Sequence, residues 1–384
     1  MIKRSTLIAS ALLATTAIVG FVFAPGCGSS DDGGGSVTPG GGGPSRKPPA
    51  RSTATATGKT QWFAINALKL GLTTKDGKSD PAAWKDYGYD LDSRNTTAED
   101  SKNSTNSCKR KSGSSTKMLM DGNEGIDNNF GQHVMSVIKS LKSDAEDAVT
   151  NAVKDGSFTL LLKVDNFSTS DSSKAPGFVY VANDFNDKKS APTFGESETG
   201  WKIVDGSLVD GKTIGNPKLQ FPDAYISNGY WVSGDFGKGT IELAISLSGA
   251  DIKLPIDSGI ITFKVADGSD GTIAGAMNTD KLKEALTPVA KRFGICPGNA
   301  TYDQVVDTLT QSADLVSAAP NLQDTTKECN AISIALGFTV KKVGDHSTAP
   351  IKVSTTDPGK DDCVEGDAGT TDSGGTTTDA ASGG

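Results

Sequence analysis

The sequence predicts a mainly β protein with α-helical additions, built as an antiparallel β-sandwich or jelly-roll-like body with about three covering helices. Apolar and polar residues alternate in short segments along residues 59–353. Gly- and Asp-rich turns, such as DGSDG at 267–271, separate these segments. Because few helical segments lie between them, most neighbouring strands are expected to pair antiparallel.

Eight segments carry the strand pattern. In FTLLLKV, IELAISL, IITFKV and ISIALGFTV the alternating apolar residues place one face of each strand against a core. The segment WFAINALKLGL is expected to open the sheet. In chain order the eight segments are 62–72, 158–164, 178–182, 201–204, 228–234, 241–247, 260–265 and 332–340.

Three segments have apolar residues at helical spacing, and we expect these helices to cover one end or face of the sheet. Gly156 follows the first as a stop signal, and Pro288 should kink the second, because proline removes a backbone donor. Thr301 and Gln304 fit a capping box at the start of the third. The three helical segments are 129–153, 280–293 and 301–318.

Residues 1–26 have the parts of a bacterial export signal. Lys3 and Arg4 precede an uncharged run at 7–24, and small residues end at Gly26. The run is slightly shorter than the roughly 20 residues of a spanning helix, and its Ser and Thr residues favour cleavage over retention as an anchor. A plain secretory peptide and an uncleaved anchor remain the two alternatives to the interpretation of Cys27 that follows.

The residues that end at Cys27 resemble the lipobox of bacterial lipoproteins, in which a small residue precedes a cysteine that is diacylated. Ala24 stands where that family usually has Leu. The resemblance implies that Cys27 is a lipid attachment point and that a membrane is a partner through this lipid. Gly28 and Ser29, in place of Asp, imply the outer membrane, with the periplasmic or surface face left open.

The chain is predicted to have four regions. A signal peptide at 1–26 is followed by a flexible Gly- and Pro-rich tether at 27–58, which lacks aromatic residues and cannot form a core. A single β-rich domain spans 59–353 and contains a long polar insertion at 73–129. The remainder is an acidic, low-complexity tail at 354–384.

The charge of the chain argues against nucleic acid as a partner. The formal net charge is −8, and 6% of the residues are aromatic. Loss of Lys3 and Arg4 with the signal would change the net charge from −8 to −10, since residues 1–26 contain no acid. An acidic surface of this kind repels phosphate backbones and suits an extracytoplasmic protein or one that binds divalent cations.

The stretch GSLVDGKT at 206–213 matches the letters of a phosphate-binding loop. That loop needs a helix that opens at its Lys and Thr. Gly215 and Pro217 follow here and disfavour a helix, so we expect a hairpin turn at Asp210 and Gly211 and no nucleotide as a partner.

Four cysteines remain besides Cys27, and an even number in an exported protein predicts two disulfides with three possible connectivities. We favour Cys296 with Cys329, which would staple one helical segment and stabilise the fold by about 3–4 kcal/mol. Cys108 would then pair with Cys363 and hold the acidic tail. A Cys/His metal site is disfavoured, because the chain has two histidines and no C-x-x-C.

The stretch DGNEGIDNN at 121–129 offers oxygen ligands in a glycine-bent loop. Asp121, Asn123 and Asp127 are spaced so that they could wrap a hard cation such as Ca²⁺, and Asp90 and Asp92 of GYDLDS could complete the shell. The match to an EF-hand loop is partial. The alternative is that these Asx side chains form turns and cap the helix that begins near residue 129.

Trp84, Tyr87 and Tyr89 form an aromatic cluster in the same insertion. Exposed rings of this kind stack on sugars, so a glycan is one predicted ligand. Packing of the three rings in the core is the alternative.

The chain also resembles large β-rich lipoproteins of unknown function, through GYDLDSRNT, DGNEGIDNNFG and CNAISIALGFTV. This resemblance implies no activity, and no hydrolase motif is present. We therefore expect a lipid-anchored, extracytoplasmic, non-enzymatic module that binds a glycan or an envelope protein, with Ca²⁺ as the one candidate cofactor. A secreted glycan-active hydrolase with two carboxylates is the alternative, with Glu196, Glu198, Glu242 and Glu284 as acids that lack a signature.

Overall fold

The computed structural model describes residues 46–100, 105, 107–112, 119–141, 143–236, 240–247, 250–292, 294–353 and 363. Twelve β-strands and four α-helices lie within them, which confirms a mainly β fold with helical additions. The predicted signal peptide, the lipid attachment point at Cys27 and the tail other than Cys363 lie outside the described residues.

The twelve strands form one hydrogen-bonded sheet in the order β12-β4-β3-β2-β1-β11-β10-β9-β7-β6, with β5 beside β3 and β8 beside β9. Neighbouring strands are antiparallel except β12 and β4, which are parallel. The strands are β1 (Lys59–Lys69), β2 (Phe158–Phe167), β3 (Gly177–Asn183), β4 (Lys202–Val204), β5 (Leu219–Phe221), β6 (Tyr225–Ser227), β7 (Tyr230–Val232), β8 (Thr240–Leu247), β9 (Ala250–Lys264), β10 (Gly271–Asn278), β11 (Ala331–Val343) and β12 (Ile351–Lys352).

The sheet curls so that its edge strand β6 meets the segment that precedes β3. Ser172, which precedes β3, pairs with Ile226 of β6, and each backbone N–H donates to the other residue's carbonyl at 2.8 Å. The rings of Phe63 on β1 and Phe263 on β9 lie 5.1 Å apart, although β11 and β10 separate these strands within the sheet. Side chains from distant strands therefore share one interior, which forms the main core.

The four helices are α1 (Met135–Leu141), α2 (Ala145–Lys154), α3 (Thr279–Arg292) and α4 (Ala300–Gln311). The segment predicted as one helix at 129–153 contains a π-helical turn at Phe130–Val134, then α1, and then α2 as a separate helix. Pro288 lies inside α3. Asn299 caps α4 by accepting from the N–H of Tyr302 at 2.7 Å, so the predicted capping box at Thr301 is wrong.

Residues 46–58, which the sequence assigns to the flexible tether, lie against the folded body. Thr55 forms a bridge with Ser172, and the carbonyl of Arg46 accepts from the N–H of Asp90 at 2.8 Å. The guanidinium of Arg51 lies over the ring of Tyr225, 4.4 Å from its centroid. Basic side chains and backbone hydrogen bonds thus order a segment that has little apolar surface to bury.

The two disulfides join Cys108 to Cys329 and Cys296 to Cys363, so the favoured pairing of Cys296 with Cys329 and of Cys108 with Cys363 is wrong. The reason is a tertiary contact. The N–H of Cys329 donates to the carbonyl of Lys109 at 2.8 Å, which places Cys108 beside Cys329 across 221 residues of sequence.

The disulfides indicate a compartment outside the cytoplasm, because cytoplasmic thiols are kept reduced. Among the described residues, none of the helices has the length and apolar character needed to cross a bilayer.

Candidate metal centre

Five aspartates form a largely buried group, which we call the aspartate cluster: Asp90, Asp92, Asp121, Asp127 and Asp314. One carboxylate oxygen from each of Asp90, Asp92 and Asp127 lies within 4.8 Å of the others. These three side chains and Asp314 are almost fully buried. Asp121 and Asp314 are close enough to act electrostatically on Asp92 and Asp127.

Backbone pairing brings the two acidic loops of the insertion together. The N–H of Asp127 donates to the carbonyl of Tyr89 at 3.0 Å, and the N–H of Leu91 donates to Asp127 Oδ2 at 2.6 Å. The Leu91 side chain is buried in the core beside Tyr89. Leu91 anchors its loop in this way, and Asp90 and Asp92 flank it.

Donors from the chain orient the carboxylates. The N–H of Arg94 donates to Asp92 Oδ1 at 2.8 Å and to Asp90 Oδ1 at 3.1 Å. The hydroxyl of Ser107 donates to Asp92 Oδ2. The N–H of Thr96 donates to Asp121 Oδ2 at 2.5 Å. Such short loops, in which Asx side chains accept from nearby amides, agree with the turn-forming alternative for these residues.

Burial raises the pKa of Asp92, Asp121, Asp127 and Asp314 despite these donors. The pKa of Asp92 rises to about 7, through desolvation and then the neighbouring charge of Asp90. Desolvation also raises the pKa of Asp121 to about 9 and that of Asp314 to about 6. The pKa of Asp127 lies well above its usual range because of burial and the charges of Asp92 and Asp121. The cluster is therefore stable only if protons or cations neutralise its charge.

Lys47 and a contact between two of the carboxyls affect the charge of the aspartate cluster. The Nζ of Lys47 lies 3.3 Å from Asp90 Oδ1 and lowers the pKa of Asp92. A side-chain hydrogen bond with Asp127 lowers the pKa of Asp121, which offsets part of the effect of burial.

Asn129 adds a buried oxygen beside the cluster. Its side chain is 3% exposed and hydrogen-bonds to the carboxylate of Asp314. Its Oδ1 has no hydrogen-bond partner among the described residues. Ser333 of β11 holds Asp314 in place, because the N–H and the hydroxyl of Ser333 donate to the Asp314 carboxylate at 2.8 and 2.5 Å. A buried acceptor without a donor is costly, and a cation at this position would satisfy it.

The structure brings together four of the five residues predicted to hold a metal. Asn123 is the exception, because it is exposed and its amide donates to Asp86 Oδ1 at 2.6 Å. Sequence reasoning missed Asp314 and Asn129. The signal for Asp314 was its place between the buried apolar side chains of Ala313 and Leu315.

Trp84, Tyr87 and Tyr89 are buried, at 3–4% exposure, so their predicted role as an exposed sugar platform is wrong. The hydroxyl of Tyr87 donates to the carbonyl of Thr73 at 2.8 Å, and that of Tyr89 lies 2.7 Å from Thr262 Oγ1. The rings of Tyr87 and Tyr89 pack against β11 and β9, and the burial of all three rings leaves none open to a sugar.

The stretch at 206–213 forms a turn and not the start of a helix. The N–H of Val209 donates to the carbonyl of Asn216 at 3.0 Å, and Leu208 forms a bridge with Pro217. Asp210 accepts from the N–H groups of Lys212 and Thr213 within this turn.

A separate cleft of about 200 Å³ borders the main core. Phe63, Val265 and Val340 are among its apolar lining residues, and Glu196 and Asp267 are its acids. The side chain and backbone of Ser269 hydrogen-bond to Asp267 and hold the pKa of that carboxyl below its usual range. A glycosidase needs one carboxyl with a raised pKa as general acid, and Asp267 does not meet this need.

Comparison of the chain with protein-family models, with curated proteins and with solved structures finds no match. A function for the protein therefore has to be argued from its own residues, and the aspartate cluster is the arrangement with the clearest chemistry.

Proposed function

We propose that the protein is a lipid-anchored, extracytoplasmic, non-enzymatic envelope module whose folded body binds Ca²⁺ at the aspartate cluster. The observation that carries the calcium part is the convergence of Asp90, Asp92 and Asp127, whose oxygens lie within 4.8 Å of one another in a buried position. The partnerless Oδ1 of Asn129 is an independent argument for a cation beside these carboxylates.

The ligand set favours a hard cation. All of the cluster side chains and Asn129 offer oxygen, and the nearby Cys108 and Cys329 are joined to each other. The three oxygens lie within 4.8 Å of one another, so a single Ca²⁺ ion with bonds of about 2.4 Å could be reached by all three. Mg²⁺ fits less well, because it keeps several waters and requires a stricter geometry.

Bound Ca²⁺ would join separate parts of the fold. Asp90 and Asp92 belong to one loop of the insertion, Asp127 belongs to another, and Asp314 contacts Ser333 of β11. A cation among them would replace repulsion between carboxylates with attraction and would hold the insertion against the sheet. Sites of this kind in extracellular modules have dissociation constants of about 10⁻⁴–10⁻³ M, suited to extracellular calcium.

The calcium site is tested by titrating CaCl₂ into protein stripped with EGTA and following the melting temperature. We expect Ca²⁺ to raise the melting temperature of the wild type by several degrees, and Asp92→Asn or Asp127→Asn to remove the response. Asn123→Ala is the matched control, since this residue lies outside the cluster despite its sequence position. An unchanged melting temperature of the wild type at millimolar Ca²⁺ would refute the site.

The proposed lipid anchor is supported by the sequence that ends at Cys27 and by the two disulfides, which agree with export. Its partners would be a membrane, through the lipid, and a glycan or an envelope protein, through the body. Intact-mass analysis of the protein from its native membrane should give a product that begins at an acylated Cys27. A mature protein without acyl chains, or with another first residue, would contradict the anchor.

A further inference from the structure

The disulfide between Cys108 and Cys329 lies directly beside the aspartate cluster. The preceding residue, Ser107, donates its hydroxyl to Asp92 Oδ2. Thr105 Oγ1 donates to the carbonyl of Asp314 at 3.3 Å. The Cys108–Cys329 disulfide is thus next to residues that contact two members of the aspartate cluster, Asp92 and Asp314.

Backbone hydrogen bonds to residues 324–329 also hold the segment that carries Ser107. The N–H of Asp324 donates to the carbonyl of Ser107, and Lys109 exchanges backbone hydrogen bonds with Lys327 and Cys329, each at 2.8 Å. These contacts join residues more than 200 positions apart in the chain, so forming them without a covalent link costs considerable conformational entropy. The disulfide, with a sequence separation of 221, removes most of that cost.

We propose that the Cys108–Cys329 disulfide is required to assemble the calcium site, so that the protein gains cation affinity only after oxidation outside the cytoplasm. The inference rests on the proposed calcium function and names the regulation of that same site. When the bond is open, Ser107 is no longer held at Asp92 and residues 107–110 separate from 324–329. Water then enters the cluster, the carboxylates move apart, and the cation loses its preformed shell.

The coupling is reciprocal, because two equilibria that share a structural state affect each other equally. Bound Ca²⁺ should therefore protect this disulfide from a dithiol. In the reaction, dithiothreitol transfers two electrons and two protons to the disulfide, which becomes two thiols, and the dithiol closes to its own cyclic disulfide. Cys108 and Cys329 are buried, whereas Cys296 and Cys363 are partly exposed, so the second bond should open first.

The chain provides a matched control for the test. Isothermal titration with CaCl₂ is compared for the wild type, Cys108→Ser/Cys329→Ser and Cys296→Ser/Cys363→Ser, each stripped with EGTA and checked for folding by circular dichroism. We expect the first double variant to bind Ca²⁺ at least tenfold more weakly. The second should stay within twofold of the wild type, because Cys296 lies in the connection between α3 and α4, whereas Ser107, which donates to Asp92, adjoins the other disulfide.

Two further measurements cover the case in which the first double variant does not fold. Ser107→Ala keeps both disulfides and should weaken Ca²⁺ binding severalfold. Wild-type protein treated with graded dithiothreitol and then iodoacetamide should lose Ca²⁺ binding with the labelling of Cys108 and Cys329, counted by mass spectrometry, and not with that of Cys296 and Cys363.

The outcomes separate the two proposals. If the wild type binds Ca²⁺ and Cys108→Ser/Cys329→Ser binds it equally well, the coupling is refuted and the calcium site stands. Equal weakening in both double variants would also refute the coupling, because it would report a general loosening of the fold. A wild type that fails to bind Ca²⁺ would refute both the site and its dependence on the disulfide.

Discussion

At the scale of single residues, the central feature is a group of carboxyls whose burial conflicts with their charge. Asp92 and Asp127 accept from backbone and hydroxyl donors, which favour the ionised form, yet desolvation dominates and raises both pKa values. Lys47, at Asp90, offsets only part of the charge. The cation-free protein must therefore hold protons in the cluster, and Ca²⁺ competes with them.

This competition predicts the pH dependence of stability. The folded-state pKa values of Asp92 and Asp121 are about 7 and about 9, above the value of roughly 3.9 for an unfolded aspartate. The folded state therefore binds more protons between pH 4 and pH 9. In EGTA, the free energy of unfolding should be highest near pH 4 and fall by a few kcal/mol as the pH rises to 9. Chemical denaturation at several pH values measures this slope, and saturating Ca²⁺ should flatten it.

Variants assign the slope to the cluster. Asp92→Asn should reduce the fall between pH 4 and pH 7 without abolishing it, because the amide does not titrate but Asp121, Asp127 and Asp314 still have raised pKa values. Asp210→Asn is the control, since this exposed residue has a lowered pKa and is ionised in both states above pH 5, so its removal should leave the slope above pH 5 unchanged. A stability in EGTA that rises from pH 5 to pH 9 would contradict the prediction.

At the scale of elements, side chains of the loops complete the edge of a strand. β1 pairs with β11 only over Gly337–Val343. On that side of β11, residues 331–336 therefore have no paired strand among the described residues. The N–H of Ser333 donates to Asp314 Oδ1 at 2.8 Å, and the N–H of Ala335 donates to Asn128 Oδ1 at 3.0 Å. The polar insertion is therefore part of the sheet's hydrogen bonding.

Asn128→Ala tests this role. The substitution would leave the buried N–H groups of Ala335 and Gly131 without their acceptor, so we expect a loss of about 2–4 kcal/mol in the free energy of unfolding. Asn151→Ala, on the exposed face of α2, should change it by less than about 0.5 kcal/mol. Urea denaturation measures both values, and equal effects of the two substitutions would contradict the assignment.

At the scale of the whole molecule, the curled sheet closes around Trp231. Its ring is fully buried and packs against Phe263 at 5.5 Å, and its Nε1 donates to the carbonyl of Ala175 at 2.9 Å. Gly177, at the start of β3, leaves the space that the ring occupies, because a Cβ there would lie 2.4 Å from Trp231 Cζ2.

Gly177→Ala should therefore weaken the closure. A methyl group at this position overlaps a ring that has no room to move, and overpacking of this kind costs about 1–3 kcal/mol. Gly215→Ala is the control, because a Cβ at Gly215 meets no atom within 4 Å. Thermal unfolding should give a melting temperature below that of the wild type for Gly177→Ala and an unchanged one for Gly215→Ala. A Gly177→Ala protein as stable as the control would show that the ring can shift.

Two cases show why sequence patterns located some elements and missed others. The eight predicted segments all overlap strands, because alternation of large apolar side chains is local information. β10 was missed, since GTIAGAMN contains small residues and glycines that are typical of turns. Gly275 is needed because Ile256 of β9 would lie 2.4 Å from a Cβ there, a requirement that only the neighbouring strand creates.

The sequence by itself determined eight of the strand segments, the approximate positions of the helices, the acidic loops and the number of disulfides, because these depend on residue type and local spacing. Tertiary structure alone decided the partner of Cys108, the burial of Tyr87 and Tyr89, and the arrival of Asp314 beside Asp92. Each of these depends on contacts between residues far apart in the chain. Such contacts form only when the sheet closes and the insertion folds onto it, and no local pattern encodes them.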